Sequence, residues 1–590
     1  MAWFKDIIAC FLETDPTTDK GWVEEKNMTR REAPWPATLG YLIALQVSCQ
    51  MPPTDGPSVV LHHGKILTLD PDSRIAEAVA IEGEKILAVG ANDDILGLAG
   101  RETTLVDLEG QTVVPGFADN HYHSIGGGPG VDLSSARTLD DVLLAIGERA
   151  KNTPPDTVIV TNSDWHEGQL VEQRLPYRDD LDKATTDHPV VVVRGGHEYV
   201  LNTAALNEWS IDETTRAPEG GSLGRYPDGR LNGELVDQAK RFVELPPHLS
   251  AGASYQPESL RLEHQRLNEA GLTSVRYASG NKELYHALSE LKRRGDLTLR
   301  ASVLFRIQPS VDLDGLDKVI AAWGVGPDEG DAWLRVGGIK LGVDGGFEGG
   351  WMREPYQEPW GDNGRYYGLQ TFPTERYVEL VRALNQRGWR VATHAVGDAA
   401  MDLVLDAYGK ANQDRSIVGR RFVVEHGFIA DHDQLPRLKE LGVAVSGQHH
   451  LYLAGPSLVK YWGTERAHRV TPMRTYLDAG IPVSLGSDSP VVPYRPLWVL
   501  YHFITRDTIS AGVMGEQQRI TREEALRAMS LGYAHLTFEE QLKGSIEPGK
   551  LADLVVLPED VLTCPPERIR DMEVSMTIVG GEIVHGRPAE

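Results

Sequence analysis

Val113-Val114-Pro115-Gly116-Phe117-Ala118-Asp119-Asn120-His121-Tyr122-His123 is a short apolar run that ends in two histidines spaced i, i+2. Side chains alternate faces along a strand, so His121 and His123 point the same way. Two imidazoles on one face at a strand's end are half of a metal site. Four later segments also close apolar runs with candidate ligands. Lys340 follows Gly337-Gly338-Ile339, and His394 follows Val391-Ala392-Thr393. His426 follows Phe422-Val423-Val424-Glu425, and Asp488 follows Val483-Ser484-Leu485-Gly486-Ser487. Each has an innocent explanation when taken alone. A lone His-x-His is usually two ordinary histidines, and an Asp before Ser489-Pro490 can be a helix N-cap. Order and position tip the balance, because the ligand types suit zinc or a related divalent ion and recur at successive strand ends. The set argues for a metal-dependent hydrolase built on a barrel.

Working outward, short apolar strands alternate with helical patterns, as in parallel α/β folds. Strands are expected at Val113 to Phe117, Thr273 to Tyr277, Leu297 to Phe305, Leu334 to Leu341, Arg390 to Thr393, Arg421 to Val424, Gly442 to Val445 and Ile481 to Leu485. Eight such strands close a (β/α)8 barrel, whose functional groups sit at the C-terminal strand ends. After the fifth, Met401, Val404, Leu405 and Tyr408 fall at helical spacing. The stretch from Leu133 to Gln265 is too long for a loop. It carries its own strands around Val158 to Thr161 and Val190 to Val193. The expected architecture is a distorted TIM barrel (113–132 and 266–538) with an inserted α/β subdomain at 133–265. Strand-like alternation at 57–112 and 539–590 reads as one small β-sandwich built from both chain ends.

Composition narrows the partners. The 590 residues are 41% hydrophobic and 24% charged, with 60 glycines. Lys plus Arg number 59 against 85 Asp plus Glu, a net charge of −26, so nucleic acid is not an expected partner. Cys10, Cys49 and Cys564 are too few and scattered for a disulfide framework or a thiolate metal site. No apolar run of about 18 residues is present, so no membrane span is expected. Thr29-Arg30-Arg31 before the apolar Leu39 to Val47 faintly resembles a twin-arginine export signal, but Pro34 and Pro36 interrupt it. The plainer reading is an extension over 1–56 ahead of a natural start at Met51, and a cytoplasmic enzyme. The expected assembly is a homodimer.

The motifs resemble the amidohydrolase superfamily, and within it the large three-part branch that includes N-substituted formamide deformylases. Pro115 to His123 matches the first-strand motif. His394-Ala395-Val396-Gly397-Asp398, Glu425-His426-Gly427 and Ser487-Asp488-Ser489-Pro490 match the fifth, sixth and eighth. Gly544 to Leu554 resembles the family's return into the β-domain. The resemblance spans Ser58 to His585. It implies that His121, His123, Lys340, His394, His426 and Asp488 hold one or two divalent ions, expected to be zinc. It implies Asp488 as the base that takes a proton from water and passes it to the leaving amine. His426 or His197 would help polarise the substrate carbonyl. Lys340 is implied to be N-carboxylated, since a neutral buried amine can add carbon dioxide and the carbamate can bridge two metals. The other reading is an unmodified lysine contacting substrate.

Weaker signals surround these. Arg194-Gly195-Gly196-His197 followed by Asn202-Thr203 departs from the family's Asp-Gly-His and Asn-Ser, so a structural His197 competes with a substrate-facing one. Trp165 reads as core packing. Gln448-His449-His450 after strand seven reads as ordinary loop. Asp344 to Phe347 and Trp351 to Tyr356 are candidate pocket walls. The expected activity is hydrolysis of a C–N bond in a small-molecule amide, N-acyl or N-formyl. Alternatives are a cyclic amide, a carbamate or a deaminase-type substrate at the same site, and a non-catalytic binding protein on the same barrel. A dinucleotide-binding oxidoreductase is disfavoured, because Gly126-Gly127-Gly128 lacks the Gly-x-Gly-x-x-Gly spacing.

Overall fold

The structure is a computed structural model that describes residues 56–246, 249, 255–357 and 365–586. The twin-arginine pattern, Met51, Cys10 and Cys49 lie outside these residues. Eight parallel strands form one sheet in sequential order. They are β1 (Phe117–Tyr122), β2 (Leu272–Gly280), β3 (Arg300–Arg306), β4 (Leu334–Gly342), β5 (Val391–Ala395), β6 (Val423–His426), β7 (Ala444–Gln448) and β8 (Val483–Gly486). The sheet curls back on itself: Asp488 N donates to His121 O at 2.7 Å, and Tyr122 bridges Ser489 in parallel register. This is the expected TIM barrel.

Several strands run further toward their C-termini than their apolar runs do. The polar residues that end each run stay in the ladder, as His394 does in β5, His426 in β6 and Gln448 in β7. The helix Asp398–Asp414 buries Met401, Val404, Leu405 and Tyr408 against the barrel, the face that its periodicity sets.

The expected first strand, Val113 to Phe117, divides in two. Thr112–Pro115 belongs to a six-stranded sheet, where Val114 pairs with Val555 and Val113 with Ile66. The chain then crosses to the barrel through Gly116, whose N–H donates to Asp553 O at 2.8 Å. A Cβ on Gly116 would lie 2.2 Å from Thr273 Oγ1, so no larger residue fits this crossing. The apolar texture runs unbroken across Gly116, which is why the run reads as one strand. The six-stranded sheet packs on a four-stranded one around Leu61, Ile66, Val79, Ile81, Leu554 and Val556. Strands from both chain ends therefore share one apolar core.

Between β1 and β2 lies a five-stranded sheet, ordered Gly221–Arg225, Leu231–Asp237, Glu198–Leu201, Val190–Arg194, Ile159–Val160. Helices such as Leu139–Lys151 cover it, with Val142 and Ile146 in its core. Helix Pro257–Glu269 buries Leu260 and Leu267 in the barrel core, so the barrel layer resumes ahead of residue 266. Among the described residues no helix is long and apolar enough to cross a membrane.

Candidate metal centre

The six expected ligands meet at the C-terminal mouth of the barrel. His121 and His123 have ring centroids 5.2 Å apart, and their Nε2 atoms lie 3.6 and 3.0 Å from Asp488 Oδ1. Lys340 Nζ is 3.2 Å from His121 Nε2. The His426 ring stands 4.7 Å from His121 and 4.6 Å from His394. His426 Nδ1 is 3.9 Å from Asp488 Oδ2. His426 and Asp488 both take left-handed backbone, at φ 71° and 66°. Such backbone is sparsely populated by residues other than glycine, and it turns both side chains out of the strand pleat toward the mouth.

Hydrogen bonds fix three tautomers. Glu425 Oε2 lies 2.7 Å from His121 Nδ1, and a carboxylate only accepts, so Nδ1 carries the proton and Nε2 the lone pair. Gln448 Oε1 does the same for His426 Nδ1 at 2.8 Å, leaving Nε2 free. Gly345 O accepts from His394 Nε2 at 3.0 Å, leaving Nδ1 free. Burial pushes His121 down to about 4, and drives His394 and His426 well below the usual imidazole range. Neutral imidazoles with fixed free nitrogens are what a divalent ion requires. Asp488 Oδ1 is buried without a hydrogen-bond partner of good geometry, a further free donor atom. Burial pushes Asp488 up, but His121, His123 and His450 outweigh it, and its carboxyl stays ionised. At the mouth, two ligand sets lie close enough to hold an ion, His121–His123–Asp488 and His426–His450–Asp488. The donor set fits a divalent metal.

Lys340 is buried on β4, and burial, the largest influence, lowers it to about 7, with Arg306 and Arg276 adding to the shift. A substantial neutral fraction follows at neutral pH. Glu425 stays ionised because Arg276, His121 and Lys340 overcome the cost of burying it. Arg276 donates to Glu425 Oε1 and, at 2.7 Å, to Asn120 O.

His197 comes from the inserted sheet and lines the same cavity. Its Nδ1 is 2.6 Å from Asp237 Oδ1, and its ring lies 5.1 Å from that of His394. Burial lowers its pKa, but Asp237 outweighs this and the net shift is upward. Trp165 is buried, with Nε1 donating to Val193 O at 2.8 Å, so it packs the core. Phe347 lines the cavity and stacks on Phe428 at 5.3 Å.

Three roles escape sequence reasoning, although Asp344 and His450 are among the residues it singles out. His450 is not a loop bystander: its Nε2 is 3.0 Å from Asp488 Oδ2. The doubled His449-His450 at a strand end was the available signal. Glu425 orients His121, and its place beside His426 at the end of β6 hinted at that. Asp344 accepts from the backbone N–H groups of Trp351, Val396 and Gly397, tying the loop after β4 to the end of β5. Nothing in its spacing announces this. The cavity above the centre holds about 710 Å3.

Comparison with known proteins agrees with this geometry. Residues 104–585 match the Amidohydrolase family. The chain is 28% identical over 552 residues to N-substituted formamide deformylase of Arthrobacter pascens, covering 90% of this chain and 98% of that protein. It is 29% identical over 554 residues to Protein LONG AFTER FAR-RED 3 of Arabidopsis thaliana, covering 89% and 91%. A crystal structure of an uncharacterized metal-dependent hydrolase from Pyrococcus furiosus superposes with TM-score 0.59 at 25% identity, covering 86% of this chain and all of that one. The chain belongs to the amidohydrolase family and is a metal-dependent hydrolase.

Proposed function

We propose that the chain hydrolyses the C–N bond of an acyclic N-acyl amide, with N-formyl amides the leading class. The observation that carries this is the clustering of His121, His123, His426 and His450 around the Asp488 carboxylate, with Lys340 Nζ beside His121, at the floor of a cavity large enough for a small amide. The 28% identity to the formamide deformylase, over nearly the whole of both chains, supports the N-formyl class. Zinc is the metal the imidazole and carboxylate donors suit best.

One or two bound divalent ions would supply Lewis acidity and lower the pKa of water toward ~7. The rest falls to side chains. Asp488, kept ionised beside His121 and His123 and hydrogen-bonded to His450, accepts the proton of the attacking water and returns it to the leaving nitrogen. His197, steadied by Asp237, donates to the substrate carbonyl oxygen as negative charge grows there. Glu425 and Gln448 keep His121 and His426 in their ligating tautomers. Lys340, as its carbamate, joins the ligand set. Phe347 and Phe428 exclude water from one side.

The test is turnover of a series of N-formyl, N-acetyl and cyclic amides by the zinc-loaded chain. Hydrolysis led by the formyl compounds is expected. Activity confined to cyclic amides would replace this substrate class. For Lys340→Ala, activity should fall and be partly restored by a small carboxylic acid; full activity without the acid would refute the carbamate.

A further inference from the structure

Charged side chains around the cavity nearly all have partners. Glu263 accepts from Tyr122 Oη at 2.8 Å, and Asp237 holds His197. Asp344 takes its three backbone donors, and Arg194 pairs with Glu167 and Glu348. Lys240 donates to Gly196 O and lies 4.8 Å from the centroid of the Tyr199 ring. Arg306 is the exception. It ends β3, lines the cavity and is exposed there. Among the described residues no carboxylate or carbonyl accepts from its guanidinium.

Its position relative to the metal centre is fixed by β4. Arg306 pairs with Lys340 in the ladder. Its Nη2 lies 3.6 Å from the point where a Cβ on Gly342 would stand, and His394 Cβ lies 3.5 Å from the same point. The guanidinium therefore stands beside His394, about 6–7 Å further along the strand than Lys340, the span of two residues. A Cβ at position 342 would stand in ordinary contact with both groups. The chain's net charge of −26 disfavours anions at large, so an unpaired cation deep in the mouth marks a local need for one. Leu260, Leu284, Phe347 and Phe428 supply apolar wall in the same cavity.

We propose that Arg306 anchors a carboxylate on the substrate, and that the pocket accepts N-acylated amines bearing that carboxylate a few bonds from the scissile amide, as in N-formyl amino acids. This rests on the amide-hydrolase reading above. The planar fork of Arg306 matches a carboxylate with two parallel hydrogen bonds, and the apolar wall takes the amino acid side chain.

The test uses the zinc-loaded full chain with N-formylphenylalanine and N-formylphenethylamine, which differ only by the carboxylate. kcat/KM should favour the acid. Arg306→Gln should cost the acid about 10- to 100-fold, mainly in KM, while the neutral amide is nearly unchanged. Arg306→Lys should recover part of the loss, keeping charge without the fork. Equal rates on the two compounds in the parent chain, or equal losses in Arg306→Gln, would overturn the proposal and leave the hydrolase reading intact. If neither compound is hydrolysed, calorimetry decides. Binding of the acid that vanishes in Arg306→Gln would keep the anchor while sinking the amide reading, and absence of binding would sink the anchor.

Discussion

Two sheets meet at Gly116 and solve opposite problems. On the sandwich side, Val113, Leu554 and Val556 are buried among Leu61, Ile66 and Ile81. Each adds stability by leaving water, roughly 1.5–3 kcal/mol per side chain. A few residues later, Asp119, Asn120 and His121 are as deeply buried, and each is polar. Burial of such groups costs free energy unless every one is paired. The barrel mouth meets that condition for Asp119 and His121 by mutual constraint, while Asn120 Nδ2 and Asp488 Oδ1 stay without a hydrogen-bond partner. Asp119 accepts from Ser487 N and His121 N, His121 is held by Glu425, and Glu425 by Arg276. The sandwich is a source of stability. The mouth draws on it, and returns a set of fixed donor atoms. Substitutions in the two regions should therefore fail differently.

The largest effect is expected in the mouth. Asp488→Asn should fold and retain most of its metal, yet lose turnover by about a thousandfold or more. Near-normal rates would place the general base elsewhere. In the sandwich, Leu554→Ala should cost about 2–5 kcal/mol in denaturant unfolding and leave turnover per folded molecule unchanged. A loss of turnover without loss of stability would erase the contrast between the regions.

Intermediate effects test how the mouth is held. Glu425→Gln should weaken metal binding by about 10- to 100-fold in chelator competition, because the His121 tautomer is no longer enforced. Unchanged affinity would show that the ligands orient themselves without Glu425. The smallest effect concerns Glu263 at the cavity rim. Burial raises its carboxyl from 4.5 to about 7. A raised folded-state pKa means a stabilising contribution that is complete below about 4.5 and lost as pH rises through about 7. Melting of Glu263→Gln at pH 5 and pH 8 should show a flatter pH response than the parent chain. An identical response would mean that Glu263 titrates normally.

The sequence made the barrel legible because its strands are buried on both faces and read as apolar runs between helices. The candidate ligands were legible because each stands where a run stops. The split at Gly116 was hidden, since Val113 to Phe117 stays apolar whichever sheet it serves. Glu425 was hidden because a strand-end glutamate looks alike whether it faces solvent or His121. His450 depended on the turn after β7, which brings it back over Asp488. Arg306 depended on what it lacks, and only the assembled neighbours reveal that no anion meets it. Spacing along the chain locates donors, while partnership between elements has to be seen in three dimensions.

The central claim is that six side chains from five strand ends hold a catalytic divalent ion. Metal content per chain, measured by plasma mass spectrometry before and after chelation alongside hydrolysis of an N-formyl amide, tests it most directly. One to two equivalents of divalent metal are expected, with activity lost on chelation, restored by zinc, and metal content depressed in His121→Ala. A chain that hydrolyses the amide at full rate with no bound metal would contradict the account.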